Sequence, residues 1–175
     1  MNAPQAINVS TATIANIARS VAKKVGYEPG GDLREVVRKL GGTISHENLW
    51  GNGSTDSGSI EIKDGKFEIR LAIATGPLRD RFTIAHELGH YVLHFLYRKQ
   101  FLAEPLTEMI AQRYGASAVE REANQFAAAF LMPEEEYKAA FRELNGDHTG
   151  LSRLFGVSRI ASEVRAQALN LFKND

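Results

Sequence analysis

The 175-residue sequence has no cysteine, a single tryptophan, five prolines and no net charge, since 21 basic side chains balance 21 acidic ones. Without cysteine there are no disulfides, thiol nucleophiles, iron–sulfur clusters or thiolate zinc sites, so a strongly held metal must be bound by His, Asp or Glu. The balanced charge argues against direct nucleic-acid binding through bulk positive potential. The longest wholly apolar run, Phe126 to Met132, is about a third of a membrane span. Residues 1 to 10 hold neither the basic nor the apolar stretch of a secretory signal. What is left is the expectation of one cytoplasmic domain with no membrane partner, long enough to bury about two-thirds of its unfolded surface.

Along the chain, residues 1–10 read as a flexible N-terminus. From Ser10 or Thr11, Ile14, Ile17, Ala18, Val21 and Val25 recur at helical spacing up to Gly26. A second helix begins at Asp32, with Glu35 placed for a capping box, and stops at Gly41-Gly42. Strand character follows at Thr43 to Ser45, Ile60 to Lys63 and Lys66 to Ile73, the last two joined by Asp64-Gly65. That dipeptide predicts a hairpin with Ile62 opposite Phe67 and Ile60 opposite Ile69. The same register sets Glu61 against Glu68 and Lys63 against Lys66, a repulsion that a diagonal Lys63–Glu68 contact would relieve. Between His46 and Ser57 the Gly-, Ser- and Asn-rich stretch around Trp50 reads as a surface loop. After Gly76-Pro77 the pattern turns helical, near 78–97, 118–131, 134–144 and 148–172, the last broken at Gly156. Helices, a small antiparallel sheet, then helices again make an α+β class.

The chemistry concentrates in His86-Glu87-Leu88-Gly89-His90. At about 100° per residue the two histidines sit one turn apart on one helix face, so their imidazoles can converge on one ion, while Glu87 is rotated to reach a bound water as general base. From Phe82 to Leu96 apolar residues cover most of the helix circumference, and Thr83, His86, Glu87, His90 and His94 form one polar stripe. A buried helix with one polar stripe needs something to satisfy it, and a metal with its water does so.

An open tetrahedral zinc site takes one more protein ligand. His94 lies two turns, about 12 Å, from His86 along a straight helix and cannot share the ion; it reads as a helix-face histidine near the cavity. In the next helix the core face is Val119, Ala123, Phe126, Ala127 and Phe130, and Glu120 and Asn124 lie on the flank that continues into Ala127 and Leu131. That flank should be partly buried, which selects Glu120 as third ligand and Asn124 as the group that orients a ligating histidine from behind. Glu122 falls on the opposite flank beside Gln125 and reads as a surface charge.

The stretch Arg81-Phe-Thr-Ile-Ala-His-Glu-Leu-Gly-His90, followed by Glu120-Arg-Glu-Ala-Asn124-Gln-Phe-Ala-Ala-Ala-Phe-Leu-Met-Pro133, resembles the ImmA/IrrE family of zinc metallopeptidases, over about Leu33 to Val157. The resemblance implies Zn2+ held by His86, His90 and Glu120, with Glu87 as general base, in a zincin-like domain with a gluzincin-like ligand set. The domain reading is then a metallopeptidase domain over 11–145 and a C-terminal helical segment over 146–175 packed on it. Family members are implied to cleave a DNA-binding helix-turn-helix (XRE-type) repressor, which releases stress or mobile-element genes. Some carry an N-terminal helix-turn-helix or a C-terminal sensor domain, for which these 175 residues leave no room.

Several weaker signals accompany this. The strand Lys66 to Ile73 precedes the zinc helix and is read either as an edge that an extended substrate joins or as an ordinary hairpin strand. His148, Tyr114 and Tyr97 are candidates for stabilising the oxyanion. Leu151 to Leu169, with Arg153, Arg159, Arg165 and nearby Lys173, reads either as a helix-turn-helix touching DNA or the repressor, or as a helical pair packed on the core. The alternative to an enzyme is a regulatory or toxin–antitoxin-type binding module with a structural or vestigial metal site, against which Glu87 speaks, because a structural site has no use for a general base.

Overall fold

The computed structural model describes residues 1–48, 58–112 and 117–172. The first half runs α1 (Thr11–Val25), α2 (Leu33–Lys39), β1 (Gly42–Glu47), β2 (Ser59–Lys63), β3 (Lys66–Ala72) and α3 (Pro77–Gly89). A π segment (His90–Tyr97) and α4 (Arg98–Phe101) continue α3, and β4 (Glu108–Gln112), α5 (Ala118–Leu131), α6 (Glu134–Glu143), α7 (His148–Phe155) and α8 (Arg159–Ala168) complete the chain. Trp50, Tyr114 and Lys173 lie outside the described residues.

The helix starts follow capping chemistry. The Ser10 hydroxyl accepts from the Thr13 amide at 3.1 Å at the head of α1, and Gly26 closes that helix in the left-handed region at φ 68°. At α2 the Asp32 carboxylate accepts from the Arg34 amide, but Glu35 completes no capping box: its carboxylate takes two bonds from the Arg38 guanidinium one turn on.

The α+β class stands, with a sheet in the order β1-β3-β2-β4 among the described residues. The hairpin register is the one the Asp-Gly turn predicts, with Ile62 opposite Phe67 and Ile60 opposite Ile69. The sheet is mixed rather than antiparallel throughout, because β1 pairs with β3 in parallel. The facing carboxylates Glu61 and Glu68 are relieved by Arg70, not Lys63: the guanidinium lies 2.6 Å from Glu61, 3.1 Å from Glu68 and 3.3 Å from Glu47. Arg70 stands diagonal to Glu61 on the same face, within reach of a long side chain. β3 is a central strand with β1 and β2 on its two sides, so it offers no free edge for a substrate.

β4, read as neither helix nor strand from the sequence, pairs antiparallel with β2 and buries Met109 and Ala111. Its outer edge meets the N-terminus, where the Asn2 carbonyl accepts from the Ile110 amide at 3.0 Å. Residues 1–10, expected as a flexible stretch, follow a tied path. Arg98 donates to the carbonyls of Gln5 and Ala6, and Ile7 is 9% exposed.

α3 and α5 cross closely at Gly89. A Cβ there would lie 3.1 Å from the Ala123 Cα and carbonyl oxygen, tighter than ordinary packing, so a glycine at this place lets the two helices meet. The apolar side chains of α5 to α8 and of the turn between the last two, among them Phe126, Phe130, Tyr137, Phe155, Val157 and Ala166, join Ile14 and Ile60 in one buried cluster. α7 and α8 turn through Gly156 at φ 64°. Arg81 ties that turn to the front of the fold by donating to the carbonyls of Gly156 and Gly31 and to the Tyr27 hydroxyl. No helix among the described residues is long and apolar enough to cross a membrane.

Candidate metal centre

α3 supplies His86 and Glu87, and the helical spacing delivers His90 directly below His86 at the first residue of the π segment. From the facing helix, Ser117 caps α5 by accepting from the Glu120 amide at 3.2 Å, which places Glu120 in the first turn. Across the close crossing at Gly89 these side chains converge. His86 Nε2 lies 3.1 Å from His90 Nε2 and 3.2 Å from Glu120 Oε2, and His90 Nε2 lies 3.3 Å from Glu120 Oε1. Glu87 is 1% exposed.

The remaining ring nitrogens are already engaged. His86 Nδ1 lies 2.9 Å from Asn124 Oδ1, an atom that can only accept, so Nδ1 carries a proton, the arrangement that a ligating Nε2 requires. Asn124 stands where the helix wheel places it, one turn beyond Glu120, although it is exposed rather than partly buried. His90 Nδ1 lies 3.0 Å from His94 Nδ1, and His94 Nε2 lies 3.0 Å from Glu122 Oε2.

Burial drives the His90 imidazole down to about 4, so the ring is neutral at neutral pH. Burial pushes Glu120 upward, but the His86 and His90 rings against it prevail and hold the carboxyl far below the usual range. A neutral His90 imidazole and an ionised Glu120 carboxylate are protonation states that a divalent metal requires.

The donor set fits zinc on its own geometry. Ligand atoms at about 2.0 Å from a tetrahedral ion stand about 3.3 Å apart, close to the 3.1–3.3 Å separations here. His86, His90 and Glu120 form the one group of three metal-binding side chains among the described residues, with ligand atoms all within 4.8 Å of one another. Lone pairs from two rings and a carboxylate turned on one point, with their other polar atoms bound elsewhere, are satisfied by a cation.

Two residues that the sequence places at the margin stand at the centre's back. His94 does not join the His86/His90/Glu120 group, as its distance along the helix predicts, but it touches His90 directly. Glu122, read as a surface charge, is 6% exposed. Its carboxylate accepts from the Ile7 amide at 3.0 Å, from the Asn8 amide at 2.7 Å and from His94. Burial raises the Glu122 carboxyl, and these three donors together bring it below its ordinary value. The cover over Glu122 comes from more than a hundred residues away, which a helix wheel does not register. Of the oxyanion candidates, His148 hydrogen-bonds Ser162 Oγ and Tyr97 packs in a tilted arrangement against Phe101; neither contact involves His86, His90 or Glu120.

The profile of the IrrE N-terminal-like domain (Peptidase_M78) matches residues 56–167 of this chain. A search of curated proteins finds no significant match. Among solved structures, a Mycobacterium tuberculosis transcriptional regulator superposes with a TM-score of 0.63 at 22% identity, over 89% of this chain and 46% of the regulator. The chain therefore spans about half of that regulator's length, and the likeness is one of fold.

Proposed function

The chain belongs to the IrrE N-terminal-like (Peptidase_M78) family, and from that premise we propose that it is a zinc-dependent endopeptidase with one protein substrate, a helix-turn-helix repressor of the XRE type, whose cleavage derepresses stress or mobile-element genes. The observation that carries the reading is the convergence of His86 Nε2, His90 Nε2 and the Glu120 carboxylate at 3.1–3.3 Å. Its position one residue from the buried Glu87 supports a hydrolytic use.

His86, His90 and Glu120 hold the ion, and Asn124 fixes the tautomer of His86. When bound, zinc supplies a Lewis acid that polarises the scissile carbonyl and brings the ionisation of water into the neutral range. The Glu87 carboxylate accepts the proton of the attacking water as its oxygen bonds to the carbonyl carbon. It then returns that proton to the amide nitrogen as the C–N bond breaks, so one water is consumed and a carboxylic acid and an amine are released. The fold shared with a transcriptional regulator is in keeping with a repressor substrate.

The test pairs metal content with cleavage. Purified wild-type protein is expected to take up about one zinc and to cut the repressor encoded beside its gene, with a chelator stopping the reaction. Glu87→Gln should keep the zinc and lose about 100-fold or more of the cleavage rate. Zinc uptake with undiminished cleavage in Glu87→Gln would remove Glu87 from the mechanism. Repressor binding without cleavage by the wild type would make the protein a binding module instead.

A further inference from the structure

We propose that His94 and Glu122 are positioning residues for the metal ligand His90, and that the N-terminal segment, through the backbone amides of Ile7 and Asn8, is a working part of the metal centre. The proposal rests on the reading of His86, His90 and Glu120 as a metal site.

The argument is one of hydrogen-bond direction. A backbone N–H can only donate. Ile7 and Asn8 therefore fix both oxygens of Glu122 as acceptors, at 3.0 and 2.7 Å. The third contact, from His94 Nε2 to Glu122 Oε2 at 3.0 Å, must then run from ring to carboxylate. A neutral His94 with its proton on Nε2 presents a lone pair at Nδ1, and across the 3.0 Å contact between the two Nδ1 atoms His90 Nδ1 is then the donor. His90 Nε2 is left with its lone pair toward His86 and Glu120. Each link has one sense, set at the N-terminal end and read at the ligand.

The segment that starts this relay is itself anchored. The Met1 ammonium pairs with Glu108 at 3.1 Å, Asn2 adds to the edge of β4, and Arg98 holds the Gln5 and Ala6 carbonyls while pairing with Glu104. Asn8 takes the left-handed region at φ 53°, which asparagine tolerates better than most residues, and so turns its amide onto the carboxylate. The π segment that begins at His90 carries His94 on its wider turns to this same carboxylate.

The experiment measures zinc affinity of the full-length protein by chelator competition, and the visible absorption of the cobalt-substituted protein, in wild type, Glu122→Gln, His94→Gln and the double variant. Glu122→Gln keeps size and shape but turns a donating amide group toward one of the backbone amides or His94. Each single change is expected to weaken zinc by about 10- to 100-fold and to shift the cobalt bands, since outer partners of a ligating histidine carry effects of that size. The double variant should be no weaker than the worse single one, because the two residues act in series. Tyr137→Phe, which removes a buried hydroxyl bonded to Ser162 far along the chain, serves as the control and should lower thermal stability without moving zinc affinity. If wild-type protein binds no zinc, the metal-site reading fails and this inference with it. If wild type binds zinc and both single variants bind equally well with unchanged cobalt bands, the inference alone is overturned. Losses that simply add in the double variant, or an equal loss in Tyr137→Phe, would reduce His94 and Glu122 to ordinary packing. Should Glu122→Gln not fold, His94→Gln decides by the same readings.

Discussion

Glu120 and Glu122 stand two residues apart on α5, both buried and each beside histidines of the α3–π helix, yet they present opposite situations. The Glu122 oxygens are consumed by two backbone amides and one ring. The Glu120 oxygens meet the Nε2 atoms of His86 and His90, whose Nδ1 atoms are bonded to Asn124 and His94. A carboxylate saturated by backbone donors, which cannot give up their protons, is a support, and one beside two ring nitrogens that can exchange a proton for a metal is a ligand. Burial alone does not separate the two; the sense of the hydrogen bonds around them does.

The strongest way to sharpen the difference is to make the same isosteric change on each side. Glu120→Gln should weaken zinc by more than the ~100-fold expected of an outer partner. In the metal-free protein it should cost less stability than the change at Glu122, because the new amide can still bond to the His86 and His90 ring nitrogens in either sense. Glu122→Gln should destabilise the metal-free protein by about 1–3 kcal/mol, the cost of leaving a buried donor without an acceptor. Urea unfolding with and without zinc measures both. If the two variants lose equal stability without metal, the distinction between ligand and support collapses.

A second change should damage both sides together. Gly89 lies where α3 meets α5, and a Cβ there would already stand 3.1 Å from Ala123 and 3.2 Å from Phe126 Cβ. Gly89→Val must push the helices apart, at about 1–3 kcal/mol for an overpacked core. The same displacement draws Glu120 from His86 and Glu122 from His94 at once. Both folding stability and zinc affinity should fall, and a variant that unfolds more easily while holding zinc as tightly as wild type would show that the crossing does not set the ligand distances.

The two glutamates also mark how far the sequence could be read. His86 and His90 lie one turn apart on one helix and Glu120 and Asn124 one turn apart on another, so helical spacing pairs each couple, and the resemblance to a family with both motifs joins the two. Glu122 defeats the same reasoning because its cover is the backbone of Ile7 and Asn8, and backbone donors leave no mark in a pattern of side chains. β4 was hidden for a related reason. Glu108, Met109, Ala111 and Gln112 are helix-favouring residues, and it is the edge of β2 that makes them a strand. The hairpin was legible down to its register through a two-residue turn, whereas the parallel pairing of β1 with β3 depends on where a long connection returns, which turn chemistry does not specify.

Acid also separates the two sides. The His90 ring is held by burial at about 4, below the value near 6.5 that it takes in the unfolded chain. Between those values the unfolded chain binds a proton that the folded one refuses, so stability falls as the pH falls from about 6.5 and stops falling on this account below about 4. At pH 5 the cost relative to pH 7 is about 2 kcal/mol in the metal-free protein. Glu120 adds a loss of the same sign only at lower pH, within and below the ordinary carboxylate range, where the unfolded carboxyl takes a proton that the folded one still refuses. His90→Gln removes the titrating ring but not Glu122, so the fall between pH 7 and pH 5 should shrink by about that amount in urea unfolding curves. An unchanged slope in His90→Gln would place the acid sensitivity on the Glu122 side of α5 and reverse the comparison.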